Sequence, residues 1–170
     1  MNMGKKMFFE WSNDTIIITV IFSVVIIAVL IYLFKTISFK DPFHMWGGKL
    51  ITAVVIIAAE IYFATITPLF LSYNGDEIRI RMVLGCKKIP YGEILSIKKI
   101  DPDVIGNSTR IVGSGGAGGY IGLFNNKTLG DYYMYATKKQ DLVLVETKTK
   151  RYVFNCAERE DLVTFVYAKQ

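Results

Sequence analysis

Thr15–Phe34 (TIIITVIFSVVIIAVLIYLF) and Leu50–Leu71 (LITAVVIIAAEIYFATITPLFL) fill most of the first 71 residues and carry one charge between them, Glu60. A helix crossing a hydrocarbon core of about 30 Å needs roughly 20 predominantly apolar residues, and both runs reach that length. They predict a transmembrane helical hairpin over 1–71, with helices at about 15–34 and 50–71. The first run is too long for the apolar core of a signal peptide, which spans roughly 7 to 15 residues. Lys35-Thr36-Ile37-Ser38-Phe39-Lys40 follows it, not a small-residue cleavage site. Met7, Phe8, Phe9 and Trp11 before the first helix read as interfacial bulk, and Tyr32, Trp46, Tyr62 and Tyr73 include anchors near the other helix ends.

Residues 72–170 read differently, as short strands and turns with charges on the turns and strand faces. With 52% hydrophobic residues over 170, the chain has room for one soluble domain beyond the hairpin. From Leu71 onward there are 15 of the 20 Lys and Arg and 11 of the 15 Asp and Glu, a mild and dispersed excess. A nucleic-acid surface would gather its cations on one element, so nucleic acid is not an expected partner. Cys86 and Cys156 fit no metal or redox spacing, and free thiols suit a reducing compartment. Lys5, Lys6, Arg79, Arg81, Lys87 and Lys88 flank the hairpin, against Lys35, Lys40 and Lys49 in its loop. The positive-inside rule then places the domain at the cytoplasmic face of the cell membrane.

After the turn Asn74-Gly75-Asp76, Glu77–Val83 alternates polar and apolar in the period of a half-buried strand. Lys88–Ile94 and Leu95–Ile100 read as a second and third strand, with Pro90 holding the former to an edge or bulge. A long connection is expected from Asp101 to Gly119. Strands follow at Tyr120–Phe124 and Asp131–Thr137, then a hairpin from Leu142–Thr147 to Arg151–Phe154. Leu162, Val163, Phe165 and Val166 fall at helical spacing within 158–168. The fold class is an α+β membrane protein: a helical hairpin, then an antiparallel barrel or sandwich capped by a C-terminal helix.

The run Arg110-Ile111-Val112-Gly113-Ser114-Gly115-Gly116-Ala117-Gly118-Gly119-Tyr120-Ile121-Gly122-Leu123-Phe124, with Leu129-Gly130, Tyr135-Ala136-Thr137, Val145-Glu146-Thr147 and Arg151-Tyr152-Val153, resembles the bacterial pleckstrin-homology-like domain family. The resemblance covers the C-terminal region and leaves the hairpin outside. It implies a strongly bent antiparallel sheet of about seven strands closed by a helix, with no enzymatic activity. Members tend to carry Pro after the last strand, where this chain has Cys156.

Glu60 falls near the middle of the second expected helix, where an acidic residue costs about 2.5 to 3.5 kcal/mol against lipid. Thr19 and Ser23 are the mid-depth polar residues of the first helix, and a hydrogen bond from Ser23 to Glu60 is expected. Gly113–Gly119 lacks the Lys-Ser or Lys-Thr helix start of a phosphate loop, and reads instead as a flexible or tightly folded loop whose glycines permit positive φ and close backbone approach, with partner binding through Gly115 and Gly116 as the alternative. Lys87 and Lys88 on the first hairpin, with Lys148 and Lys150 on a later turn, read as a basic rim. The first strand begins only a few residues after the second helix and points away from it, which places Lys87 and Lys88 about 20 Å or more from the membrane, so a phosphoinositide-type headgroup is not the expected ligand. His44 stands alone, and no acid, base and nucleophile set is present, so neither catalysis, metal nor cofactor is expected. The expected partners are the bilayer, other membrane or membrane-proximal proteins, and a second copy of the chain. The expected role is a membrane-displayed binding or scaffolding module. The alternative is an accessory of a transport or channel assembly that works through the hairpin and Glu60.

Overall fold

The computed structural model describes residues 5–73 and 75–169. Its order is β1 (Lys5–Phe8), α1 (Asn13–Lys35), α2 (Phe43–Ile66), β2 (Pro68–Tyr73), β3 (Glu77–Met82), β4 (Cys86–Pro90), a 3-10 turn (Tyr91–Glu93), β5 (Ile94–Ile100), a short α3 (Asp103–Gly106), β6 (Thr109–Gly116), β7 (Gly119–Asn126), β8 (Gly130–Ala136), β9 (Leu142–Thr147), β10 (Arg151–Asn155) and α4 (Arg159–Tyr167). Two N-terminal helices followed by a β-rich body and a closing helix is the α+β architecture expected.

At about 1.5 Å per residue the 23 residues of α1 and 24 of α2 each span about 35 Å, long and apolar enough to cross a bilayer. They project from the body with their apolar side chains exposed. Ser12 caps α1 by accepting the Thr15 amide at 3.2 Å, and Lys49 donates to the Thr36 carbonyl at 2.6 Å, closing the far end of the hairpin. Phe39, Trp46 and Phe43 stack edge to face at that turn.

The second helix is displaced from its expected bounds. It begins at Phe43 and ends at Ile66, because Pro68 disfavours helical backbone at Thr67, which is extended at ψ 126°. Pro68–Leu71, read as the apolar end of a helix, belongs to strand β2, Pro68–Tyr73. Its partner is β1, in the segment read as interfacial bulk: Phe8 opposes Phe70 and Lys5 opposes Tyr73. Met7 and Phe9 are 9% and 7% exposed and belong to the core, while Phe8 is 76% exposed. The helical hairpin is therefore an insertion at the tip of a β-hairpin.

Two sheets follow, in the orders β1-β2-β3-β4 and β5-β9-β10-β8-β7-β6. The described residues thus form ten strands, where the resemblance implies about seven, and the β10–β8 pair is parallel in an otherwise antiparallel arrangement. Val143, Val145 and Phe154 pack toward the first sheet with Leu71, Ile78 and Ile80, whereas Leu142, Leu144 and Val153 face Phe124, Tyr132 and Met134. Burial on both faces explains the unbroken apolar run Leu142–Val145. Helix α4 closes the first layer with Leu162 and Val166, and Phe165 lies against Tyr73 at 4.9 Å between ring centroids.

Cys156 stands where the family resemblance leads one to expect proline. Its amide donates to the Asp141 carbonyl at 2.9 Å, a bond proline could not make, and Asp141 takes a left-handed φ of 52°. The thiol packs against the Met7 sulfur at 3.9 Å, so this position helps seat β1.

Removing β1 strips Met7 and Phe9 from the core, a loss of about 3 to 6 kcal/mol in apolar burial, comparable with the total stability of a small domain. A fragment beginning at Leu71 is expected to show no cooperative melt by circular dichroism. A variant with residues 13–66 replaced by a short Gly-Ser linker, which keeps β1 beside β2, is expected to melt cooperatively.

Candidate functional site

Both ends of the helical hairpin are tied to the body by hydrogen bonds at one junction. On the incoming side, Thr137 and Asn155, both buried, hold the chain between β1 and α1. Thr137 Oγ1 donates to the Glu10 carbonyl at 2.6 Å, Asn155 Nδ2 donates to the same carbonyl at 3.4 Å, and the Ser12 amide donates to the Thr137 carbonyl at 3.3 Å. Lys138 adds ion pairs to Glu10 and Asp141, each at 2.6 Å. On the outgoing side, the β3–β4 turn donates Leu84 N–H to the Thr65 carbonyl at 2.8 Å and Val83 N–H to the Thr67 carbonyl at 3.1 Å. Carbonyls left over at the end of a helix are thereby satisfied.

The glycine-rich segment makes the third contact. It is not a loop: the region expected as one long connection, Asp101 to Gly119, contains α3 and all of β6, and Gly113–Gly119 forms most of a tight hairpin with β7. That hairpin's tip rests on the helix bases. The Gly118 amide donates to Thr19 Oγ1 at 2.9 Å, and Thr19 in turn donates to the Thr15 carbonyl at 2.6 Å. Gly116 packs on Ile18, with 3.4 Å between the position of a Cβ there and the nearest Ile18 atoms. Gly113 adopts φ 121°, where an added Cβ would fall 1.9 Å from the Ile121 carbonyl oxygen, so only glycine permits this strand approach. No phosphate-binding helix follows; the next element is β7.

Between the helices and this hairpin lies a cavity of about 670 Å³. Ser23 and Glu60 both line it, with Gly115, Trp11 and Arg110. The two residues expected at one depth of the hairpin thus line one cavity, without the expected hydrogen bond between them. Glu60 is not at mid-helix either. Because α2 begins at Phe43 and ends at Ile66, Glu60 lies six residues, about 9 Å, from the end that joins the body.

The basic rim divides. Lys87 Nζ lies 5.1 Å over the Tyr152 ring and Lys150 Nζ 5.1 Å over the Tyr133 ring, and these two rings stack at 5.9 Å, so Lys87 and Lys150 meet through an aromatic pair. Lys88 approaches Glu77 at 3.9 Å, and Lys148 lines a shallow cleft beside Glu146 and Arg151. Gly115 and Gly116 are elsewhere, at the helix junction. The expected distance of Lys87 and Lys88 from the membrane end is also corrected. Strand β2 leads away from α2 and β3 returns, so the β3–β4 turn lies back at the helix end and Lys87 is three residues, about 10 Å of extended chain, from Leu84.

Arg110, Thr137 and Asn155 were absent from the sequence candidates. Arg110 carries the one available signal, a lone cation at the head of a glycine-rich apolar run. Among the described residues no group of His, Cys, Asp or Glu is placed to hold a metal ion.

A helical hairpin joined at three places to a two-sheet body with a closing C-terminal helix defines a PH-like domain carrying an apolar helical extension. The family model described as "Bacterial PH domain" matches residues 70–170, and the chain belongs to that family. The match begins inside β2, so β1, α1 and α2 lie outside it. No curated protein matches the chain, and no solved structure does.

Gly113→Ala forces both a left-handed φ and a backbone clash, and is expected to lower stability by about 1 to 3 kcal/mol or more, read as a fall in melting temperature in detergent. Both cysteines are free, but Cys156 is buried, and that burial pushes its thiol up to about 11. A maleimide at pH 8 is expected to label Cys86 in the folded protein, and Cys156 only after denaturation.

Proposed function

We propose that the chain is an integral membrane protein whose PH-like domain is a non-catalytic binding module for membrane-local protein partners, held at the cytoplasmic face. The observation that carries this reading is the double anchorage of the helical hairpin. Both helices enter and leave the body through hydrogen-bonded strands and turns rather than through a free linker. A module fixed in this way presents one constant face to partners that share its membrane, and tethering raises their effective concentration without new contacts.

The surface best suited to a protein partner is the outer edge of β6. This strand ends the six-stranded sheet, pairs only with β7, and carries Ile111 and Val112, which are 50% and 65% exposed. An exposed edge bearing apolar side chains accepts an added strand through main-chain bonds. A bulge between Arg110 and Val112 limits how much of the edge can be extended, which favours a short partner segment over indiscriminate pairing.

A second reading, the transport accessory, is favoured by Glu60 facing a cavity rather than lipid alone. Glu60→Gln separates the two: a binding module keeps its partner in this variant, and a proton or cation path loses its flux.

The principal test is capture of partners by the full-length chain in mild detergent, comparing wild type with Ile111→Lys/Val112→Lys. Edge recognition predicts that a partner retained by the wild type falls by about tenfold or more in the double variant, with the melting temperature unchanged. Equal capture by both chains rejects the β6 edge. Recovery of the full-length chain without detergent rejects the membrane reading itself.

A further inference from the structure

The junction cavity has a neighbour of opposite character. Ile18, Phe22, Phe63, Ala64 and Val83 give the 670 Å³ cavity apolar walls beside both helices. A second cavity of about 410 Å³ is lined by Ser108, Tyr132 and Lys139 beside the core residues Ile105, Phe124 and Met134, with no carboxylate on its walls. Arg110 and Gly115 belong to both. Gly115 lies close against the arginine: a Cβ there would stand 3.1 Å from Arg110 Nη1. Arg110 forms no ion pair among the described residues, and Lys139 lies 4.7 Å over the Tyr120 ring, also without an acidic partner.

An apolar chamber opening toward helices of membrane-spanning length, an unpaired guanidinium at its mouth, and a second cation beyond it together fit one kind of molecule. We propose that this junction seats a phospholipid of the surrounding leaflet, preferentially an anionic one. One acyl chain lies against Phe22 and Phe63, the phosphate sits on Arg110, and the headgroup points toward Lys139. The inference rests on the reading that α1 and α2 span a bilayer. Apolar walls gain from a hydrocarbon chain what water cannot give them, and the guanidinium fork matches phosphate oxygens in geometry and charge. Arg110 is the one cation among the residues lining the apolar chamber, so the charged end of the ligand is held there. Ser23 on the same side offers a hydroxyl donor to an ester carbonyl.

Trp11 lines the chamber and serves as the probe. In a Trp46→Phe background it is the sole tryptophan of the full-length chain. Brominated phosphatidylglycerol is titrated into protein in phosphatidylcholine–detergent micelles while Trp11 fluorescence is followed. A seat predicts saturable quenching that Arg110→Gln weakens by about tenfold or more in apparent affinity, and that Ala64→Phe also weakens by intruding on the chamber. Arg81→Gln, an exposed arginine outside both cavities, should leave it unchanged. Arg110 is itself exposed, so its variant should keep the wild-type circular dichroism spectrum and melt. Unsaturable quenching that is the same in wild type and Arg110→Gln, or equal quenching by brominated phosphatidylcholine, overturns the proposal in favour of ordinary boundary lipid. Either result with a protein that still requires detergent leaves the membrane reading intact, whereas detergent-free recovery of the chain removes that reading first.

Discussion

The structure depends on how backbone groups are satisfied where two apolar helices meet a β-rich body. A helix end leaves several N–H and C=O groups without intrahelical partners, and near a lipid boundary neither medium is a reliable substitute. Here the body supplies the partners. Ser12 caps the start of α1, the β3–β4 turn bonds to the end of α2, and the Gly118 amide reaches Thr19 on the first helix. The glycines of β6 and β7 follow from the same need, because a side chain at Gly113 would separate the two strands whose tip makes the third contact.

Much of the domain is readable from periodicity. Strands β3, β8, β9 and β10 and helix α4 announce themselves by alternation, by unbroken apolar runs between turns, or by helical spacing. The helices are readable as lengths of apolar sequence, yet their register is not. Leu69-Phe70-Leu71 continues the apolar composition of the helix before it, and only Pro68 marks the change of backbone. Missing that one strand reversed a spatial conclusion, since one strand away from the helix sends the next turn outward, and a second brings it back. Lys87 moves from the remote end of the body to within a few residues of the helix junction.

The site was less legible for a related reason. Strand β1 is four residues long, and its partner lies beyond both helices in sequence, so nothing local identifies Lys5–Phe8 as part of a sheet. Thr137 and Asn155 look like ordinary strand-end residues until the chain before α1 is laid across them. Glu60 and Ser23 could be paired by depth alone, but their relation to Arg110 requires knowing that β6 runs up against the helices. Glycine-rich sequence has little strand propensity, and here close packing against β7 and α1 overrides it.

Placing β1 before the helical hairpin and β2 after it also sets an order of events for a growing polypeptide. The first strand emerges from the ribosome with no mate, and that mate appears only once both helices have been made. If the pair of helices enters a bilayer as a unit, the two strands end on the same side and can zip together. If just one helix enters, they are stranded on opposite sides, and the body is left with a bare edge along β2 and an open core at Met7 and Phe9. Completion of the sheet therefore reports that insertion went correctly, and a misinserted chain exposes the kind of sticky, unfinished surface that quality-control proteases recognise.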